Sequence, residues 1–266
     1  MGTKSVIAFW YKKLNFPARY DAEFYRALEE IEIPADSRLE DYDPKCGDGK
    51  RNLLAYLYFC EELKRRYEEK GIGADILLDT LSDLVVWTDV WSELKGELWL
   101  SELYWLNFHL GMRLFKLGRL QFCLGRARHD VPTHNLAKGD PVVEVHIQAV
   151  GPLKQEECVA SVARAREFFD KYYPEHTYQR FTCHSWLMDQ KLDEVLSPDS
   201  NIIRFRNMFD IVHEQPSDAI LKYVFKWDTT ADSLAETPAA SGFAKRVKER
   251  RLAGEMFNES LGILKE

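Results

Sequence analysis

The spacing of apolar positions changes character once along the chain. From Pro17 to about Leu110 it is helical, and strand-like alternation is absent. In PARYDAEFYRALEEIEIP, Tyr20, Phe24, Ala27, Leu28 and Ile31 recur at three- and four-residue intervals, which predicts an amphipathic helix ended by Pro34. RNLLAYLYFCEELKRRYEEKG is apolar where it starts and charged where it ends, as suits a helix that enters a core and leaves it. ADILLDTLSDLVVWTDVWSELKG carries Leu77, Leu81, Leu84, Trp87, Val90 and Trp91 on one stripe, and GELWLSELYWLNFHLG adds Trp99, Leu103, Trp105, Leu106 and Phe108. Stripes of this kind pack helices against one another.

After Gly111 the period becomes two. MRLFKLG and RLQFCLG meet at Gly118 and read as a hairpin. The polar loop RARHDVPTHNLAKGD leads to a strand, PVVEVHIQ, then to a helix, QEECVASVARAREFFDKYY, with Cys158, Val162, Ala165, Phe169 and Tyr172 on one face. A second strand, YQRFTCHSWL, follows, so strand, crossover helix and strand form a parallel, right-handed βαβ unit. Beyond it come a short helix in SPDSNIIRFRN, a strand in MFDIVHE, a helix in SDAILKYVFKW, a linker near Thr229–Ser241 and a basic terminal helix. The expected class is α+β with an α/β-like core, divided into a helical domain over residues 1–110 and a sheet-bearing domain over residues 111–266.

Composition narrows the function classes. The 266 residues are 45% hydrophobic and 30% charged, which excludes a disordered chain. With 36 Lys and Arg against 43 Asp and Glu, the net charge of −7 repels polyanions, so no nucleic-acid partner is expected. No apolar run approaches the roughly 20 residues that span a bilayer. The opening MGTKSVIAFWYKK lacks the pattern of a signal peptide, so a cytoplasmic protein with no membrane partner is expected. Five cysteines without a C-x-x-C pair read as reduced and buried. The acidic loop ADSRLEDYDPKCGDGK holds Asp41, Asp43 and Asp48, but not at calcium-loop spacing, and reads as a solvated linker. His129 and His134, with Asp130 nearby, lack a third ligand, so no metal is assigned.

Alternation along the two strands of the βαβ unit concentrates the chemistry. Val142, Glu144 and His146 share one face of the first strand, and Val143, Val145 and Ile147 share the other. On the second strand Arg180, Thr182, His184 and Trp186 face one way, while Phe181, Cys183, Ser185 and Leu187 face the other. Glu144, His146, Thr182 and His184 can therefore converge at the middle of the sheet, where an ionisable cluster is costly unless paired or hydrated. The alternative is a histidine pair satisfied by Glu144 and Thr182. Cys183 and His184 point to opposite faces, which argues against a thiolate–imidazolium nucleophile.

Three segments carry a resemblance, RLFKLGRLQF, VVEVHIQAVGPLKQEECVASVARAREFF and FTCHSWLMDQKLDEVLSPDSNIIRFRNMF, within which H-I-x-x-x-G-P-L from His146, A-R-A-R-E-F-F from Ala163, F-T-C-H-S-W-L from Phe181 and S-N-I-x-x-F from Ser200 are the specific motifs. Together they resemble a bacterial acyltransferase family that joins a helical N-acyltransferase N-terminal domain to a GNAT-like C-terminal domain. The resemblance implies a GNAT-like mixed sheet around the central βαβ unit. It also implies acyl-CoA or acetyl-CoA as cosubstrate, and a small-molecule primary amine as acceptor. By the same resemblance the pantetheine arm runs along the first strand and the pyrophosphate meets the next helix N-terminus, which places Ile147, Gln148, Val150, Gly151, Leu153 and Lys154 at the cofactor. The loop departs from the family's Q/R-x-x-G-x-G/A pattern: only Gly151 is a glycine, and Pro152 has no N–H to offer. Glu144 with His146 is the expected base, and His184 or a backbone N–H beside the splayed strands the group that polarises the thioester, with Tyr178 and Ser185 as weaker candidates for general acid. A non-catalytic GNAT-like protein that binds a small ligand or acyl-CoA is the competing reading.

Overall fold

A computed structural model describes residues 2–32 and 48–266; Pro34, the acidic stretch 35–47 with Asp41 and Asp43, and Cys46 lie outside the described residues. The chain clusters into two compact units, Met1–Leu117 with Gln148–Val150, and Gly118–Ile147 with Gly151–Glu266.

The first unit contains α1 (Thr3–Lys13), α2 (Asp21–Glu30), α3 (Gly49–Lys70), α4 (Ala74–Lys95), α5 (Leu103–Leu110) and the short strand β1 (Leu114–Leu117). The predicted first helix is α2. It stops sooner than the spacing suggested, because Ile31 already has extended backbone with ψ 138°. α1 was not anticipated, yet Val6, Ile7, Trp10 and Tyr11 are its buried residues, a helical spacing hidden in an aromatic-rich segment. Tyr11 stacks on Phe24 of α2 with ring centroids 3.6 Å apart, and Trp10 donates to Glu61 of α3 at 3.0 Å. Asp48 caps α3 by accepting from Arg51 N–H at 2.8 Å, and Gly71 ends it in the left-handed region at φ 72°. The predicted stripe holds only in part: Leu77, Leu81 and Leu84 are buried on α4, but Trp87, Val90 and Trp91 are half-buried, the buried face passing instead through Thr88 and Ser92. A Cβ on Gly49 would come within 2.3 Å of the Trp99 ring, so only glycine lets α3 and Trp99 meet.

A buried polar knot ties this unit together. Asp83 of α4 and His109 of α5 are 2% and 1% exposed, with Oδ2 and Nε2 3.0 Å apart. Trp105 Nε1 also donates to Asp83 Oδ2 at 2.7 Å, and Gln148 Nε2 donates to Oδ1 at 3.0 Å. Lys116 Nζ completes the chain by donating to Gln148 Oε1 at 2.7 Å. Two hydrogen-bond donors, Trp105 and Gln148, together with the adjacent His109 ring, are the kind of partners a desolvated carboxyl group needs.

The second unit contains β2 (Leu120–Arg126), β3 (Pro141–His146), α6 (Gln155–Tyr172), β4 (Arg180–Ser185), α7 (Asn201–Arg206), β5 (Phe209–Pro216), α8 (Ala219–Val224), α9 (Gly242–Leu252) and β6 (Asn258–Leu264). The strands run in the order β1-β2-β3-β4-β6-β5. β3 and β4 are parallel, as the βαβ reading requires, while β2–β3, β4–β6 and β6–β5 are antiparallel. A helical N-terminal part followed by a six-stranded mixed sheet is the expected α+β class. β6 corrects the sequence reading in detail, because the end of the chain inserts a strand between β4 and β5. β4 also ends earlier than expected: Trp186–Met188 is a 3-10 turn, so Trp186 leaves the His184 face.

On the apolar face, Phe122 meets Phe181 edge-on at 5.9 Å, and the Arg166 guanidinium of α6 lies 5.0 Å from the Phe181 ring centre. Cys158, Val162, Ala165 and Phe169 are buried along α6 as the spacing predicted, with Phe168 buried beside them and Tyr172 only half-buried. Gly118 at φ 85° turns the hairpin, and a Cβ there would come 2.7 Å from Ser161 Oγ, which accepts the Leu120 N–H at 3.1 Å. The helix thus seats on the hairpin turn. No helix among the described residues is long and apolar enough to cross a membrane.

Two substitutions test these placements. Asp83→Ala removes the acceptor of the Trp105 and Gln148 hydrogen bonds and the neighbour of the His109 ring, and is expected to cost about 3–5 kcal/mol in urea unfolding; a loss under about 1 kcal/mol would contradict the knot. Gly262→Ala is expected to cost about 1–3 kcal/mol, because its Cβ would lie 2.8 Å from Phe209 Cβ and 3.0 Å from Met188 Sδ. An unchanged unfolding midpoint would argue against β6 lying beside β5.

Candidate functional site

β3 and β4 pair at Val142–Arg180, Val143–Phe181 and Glu144–Thr182. No paired position follows, although β3 continues to His146 and β4 to Ser185. The two parallel strands therefore part beyond Glu144, and the polar face opens there into a cavity of about 240 Å³.

Glu144, His146, Thr182 and His184 all line that cavity, so strand alternation brings together the residues it was expected to. Nε2 of His146 lies 3.5 Å from Oε2 of Glu144, and Arg128 Nη2 is 3.8 Å from Oε1 of the same carboxylate. Across the gap, Nδ1 of His184 is 3.8 Å from Oε1 of Glu259. Burial lowers the His184 pKa below its ordinary value; Arg128 and His129 add to this, while Glu259 and Glu144 oppose it. The ring is consequently neutral at pH 7 and keeps a lone pair. Two imidazoles backed by two carboxylates in a half-enclosed space can accept and return a proton.

Several lining residues were not foreseen: Arg126, Arg128, His129, Tyr223 and Glu259. The loop after β2 brings its residues in by folding back, with Ala127 N–H donating to Asp140 O at 2.9 Å and Gly139 N–H to Ala127 O at 2.8 Å. Its apolar residues Val131 and Leu136 pack on Val142 and Ile263 of the same sheet face. Glu259 arrives on β6, whose alternation of Glu259, Leu261 and Ile263 was the available signal. Tyr223, on the six-residue α8, had none.

The other expectations go elsewhere. Tyr178 donates to Asp170 at 3.3 Å, and Ser185 Oγ accepts from Leu187 N–H at 3.2 Å, and neither lines the cavity. Cys183 is fully buried on the opposite face, and burial pushes its thiol pKa up, away from nucleophile chemistry. His134 Nε2 lies 3.3 Å from Asp210 Oδ2, whereas His129 stacks on His213 at 4.3 Å. Among the described residues no group of three or more His, Cys, Asp or Glu could hold a metal ion.

In the β3–α6 connection, Ile147 is half-buried, Val150 and Gly151 are exposed, and Leu153 is buried. The Gln148 side chain is committed to the Asp83–Lys116 knot, so only its backbone remains for a ligand. Gly151 sits at φ 65°, which explains the glycine. Arg119 fixes the turn by donating to Pro152 O at 2.8 Å and Gly151 O at 3.0 Å. Lys154 donates to Glu157 at 3.0 Å, and the first turn of α6 also carries Glu156. Against an anion, the helix N-terminus and Lys154 attract, and the two glutamates offset much of that attraction.

Comparisons with known proteins agree with this architecture. A model described as an N-acyltransferase N-terminal domain matches residues 4–112, and one described as a GNAT-like C-terminal domain matches residues 114–264. A solved acyltransferase in complex with decanoyl-CoA and teicoplanin is similar at 24% identity and a TM-score of 0.80, over 96% of this chain and 86% of that one. An acyltransferase in complex with decanoyl-CoA is similar at 26% identity and a TM-score of 0.78, over 95% of this chain and 85% of that one. No curated protein matches. The parallel pair that parts above a polar cavity is thus set in an acyltransferase fold, and the chain belongs to the family of the GNAT-like C-terminal domain.

Proposed function

We propose that the protein moves an acyl group from acyl-CoA to a primary amine of a small molecule. The observation that carries the proposal is the cavity where β3 and β4 part, lined by Glu144, His146, His184 and Glu259. Similar solved acyltransferases hold decanoyl-CoA or CoA, which supports acyl-CoA as the donor. In this reading residues 1–110 and 111–266 act as two domains, and the site lies in the second.

The donor would use the edge of β3 that its parting from β4 leaves open. Backbone groups of Ile147, Gln148 and Val150 would follow the pantetheine arm, and the N–H groups of Gly151, Leu153 and Lys154, with the α6 N-terminus, would meet the pyrophosphate. Leu153 anchors that turn by its buried side chain.

In the transfer, the amine nitrogen bonds to the thioester carbonyl carbon, the C–S bond breaks, and one amine proton must leave. His184 suits that proton better than it suits the carbonyl, because a ring held neutral retains the lone pair a base needs. The nearby Glu259 carboxylate would stabilise the imidazolium that forms. Glu144 and His146, on the facing strand, would hold the neutral amine in place, and the proton taken by His184 would pass on to the departing thiolate.

Calorimetric titration with acetyl-CoA and longer acyl-CoAs tests the donor; absence of binding to all of them overturns it. If transfer is followed by thiol release over an amine panel, His184→Gln and His146→Ala should each lower kcat by about 10²–10⁴-fold in a folded protein. Unchanged turnover in both would overturn the site. Since the His184 pKa is lowered, kcat/KM expressed per neutral amine should hold from pH 7 down past the ordinary histidine value of about 6.5, then fall as the ring protonates. A fall centred above that value would contradict His184 as base.

A further inference from the structure

β2 carries a buried glycine near its end but within its hydrogen-bonded ladder, where glycine weakens a strand and gains nothing from freedom at φ. Gly125 is that residue: it pairs with Val142, and its φ is not in the left-handed region. The space its side chain would fill is already taken. A Cβ there would lie 2.7 Å from Cγ, 2.8 Å from Cδ and 2.9 Å from Oε1 of Glu144. Glu144 itself pairs with Cys123, so its side chain does not stand straight out from the sheet but leans diagonally along β2, over the glycine.

We propose that Gly125 is a positioning residue of this site: the missing side chain is the seat of the Glu144 carboxylate. Seated there, the carboxylate has one oxygen 3.5 Å from His146 and the other 3.8 Å from Arg128, so both oxygens are directed at cavity-lining groups. Three consecutive side-chain atoms lie within 3 Å of the missing Cβ, so no small tilt relieves the overlap and Glu144 must change rotamer. A carboxylate that swings away by about 1 Å or more loses its geometry to His146, a displacement that costs on the order of 10²-fold in a catalytic site. The catalytic consequence rests on the acyl-transfer reading; the seat itself is independent of it.

The test is a double-mutant cycle of Gly125→Ala and Glu144→Ala with two readouts. In kinetics, Gly125→Ala is expected to lower kcat by about 10- to 100-fold with KM for acyl-CoA within about twofold, and to add nothing in the Glu144→Ala background. In NMR, the His146 ring resonances should move the same way in both single variants, with no further shift in the double variant. Thermal stability separates the seat from a packing defect: Gly125→Ala should lower the midpoint only when Glu144 is present, and should leave it equal or raised in the Glu144→Ala background. Equal loss of stability in both backgrounds, additive kinetics, or unmoved His146 resonances in Gly125→Ala would overturn the proposal. If wild type transfers no acyl group, the function reading fails, and the NMR and stability arms still decide the seat.

Discussion

Everything at the site follows from one constraint, the parallel pairing of β3 with β4 and its end at Glu144–Thr182. Parallel strands with a crossover helix need one apolar face for that helix, and alternation then assigns the remaining side chains to the other face. Val143, Val145, Phe181 and Cys183 satisfy the first demand and are all buried. Glu144, His146, Thr182 and His184 are what is left, and they meet because the register pairs Glu144 with Thr182. Where pairing stops, the strands no longer hold one another, and a cavity can exist in a sheet that would otherwise be continuous.

A cavity lined by ionisable groups is expensive in a sheet interior, and the neighbouring elements meet that cost in different ways. β2 supplies room through Gly125; β6 supplies the Glu259 carboxylate behind His184; the loop after β2 supplies Arg128 beside Glu144. The result is asymmetric. The His184 pKa is lowered by burial and by the nearby Arg128, whereas His146 has a carboxylate 3.5 Å away on its own strand. An imidazole that keeps its lone pair, with a carboxylate beside it, suits a reaction in which one group takes a proton and then returns it.

Much of this was legible in the sequence because it depends on local periodicity. The strand faces of PVVEVHIQ and RFTCHS are set by alternation alone, and the buried stripe of α6 by a helical spacing. The class and the central βαβ unit followed from the same signals. What escaped depends on long-range pairing or on short elements. β6 alternates Glu259, Leu261 and Ile263, but Gly262 within it carries no side chain to complete the pattern, and the space it leaves accommodates Phe209 from the next strand. Glu259 was lost with it. α1 buries Val6, Ile7, Trp10 and Tyr11, but its opening residues resemble a strand as much as a helix. Gln148 shows the converse limit: the residue was noticed, but no local pattern could reveal that its side chain is held by Asp83 and Lys116.

The central claim is that the parted strands hold the reacting thioester. A crystal structure of the protein with a non-hydrolysable acyl-CoA analogue measures this directly, through the position of the carbonyl carbon. The account predicts that carbon inside the cavity, within about 4 Å of a ring nitrogen of His184 or His146, with the pantetheine arm hydrogen-bonded along β3. An analogue bound with its carbonyl outside this cavity, or with its arm on another edge of the sheet, would contradict it.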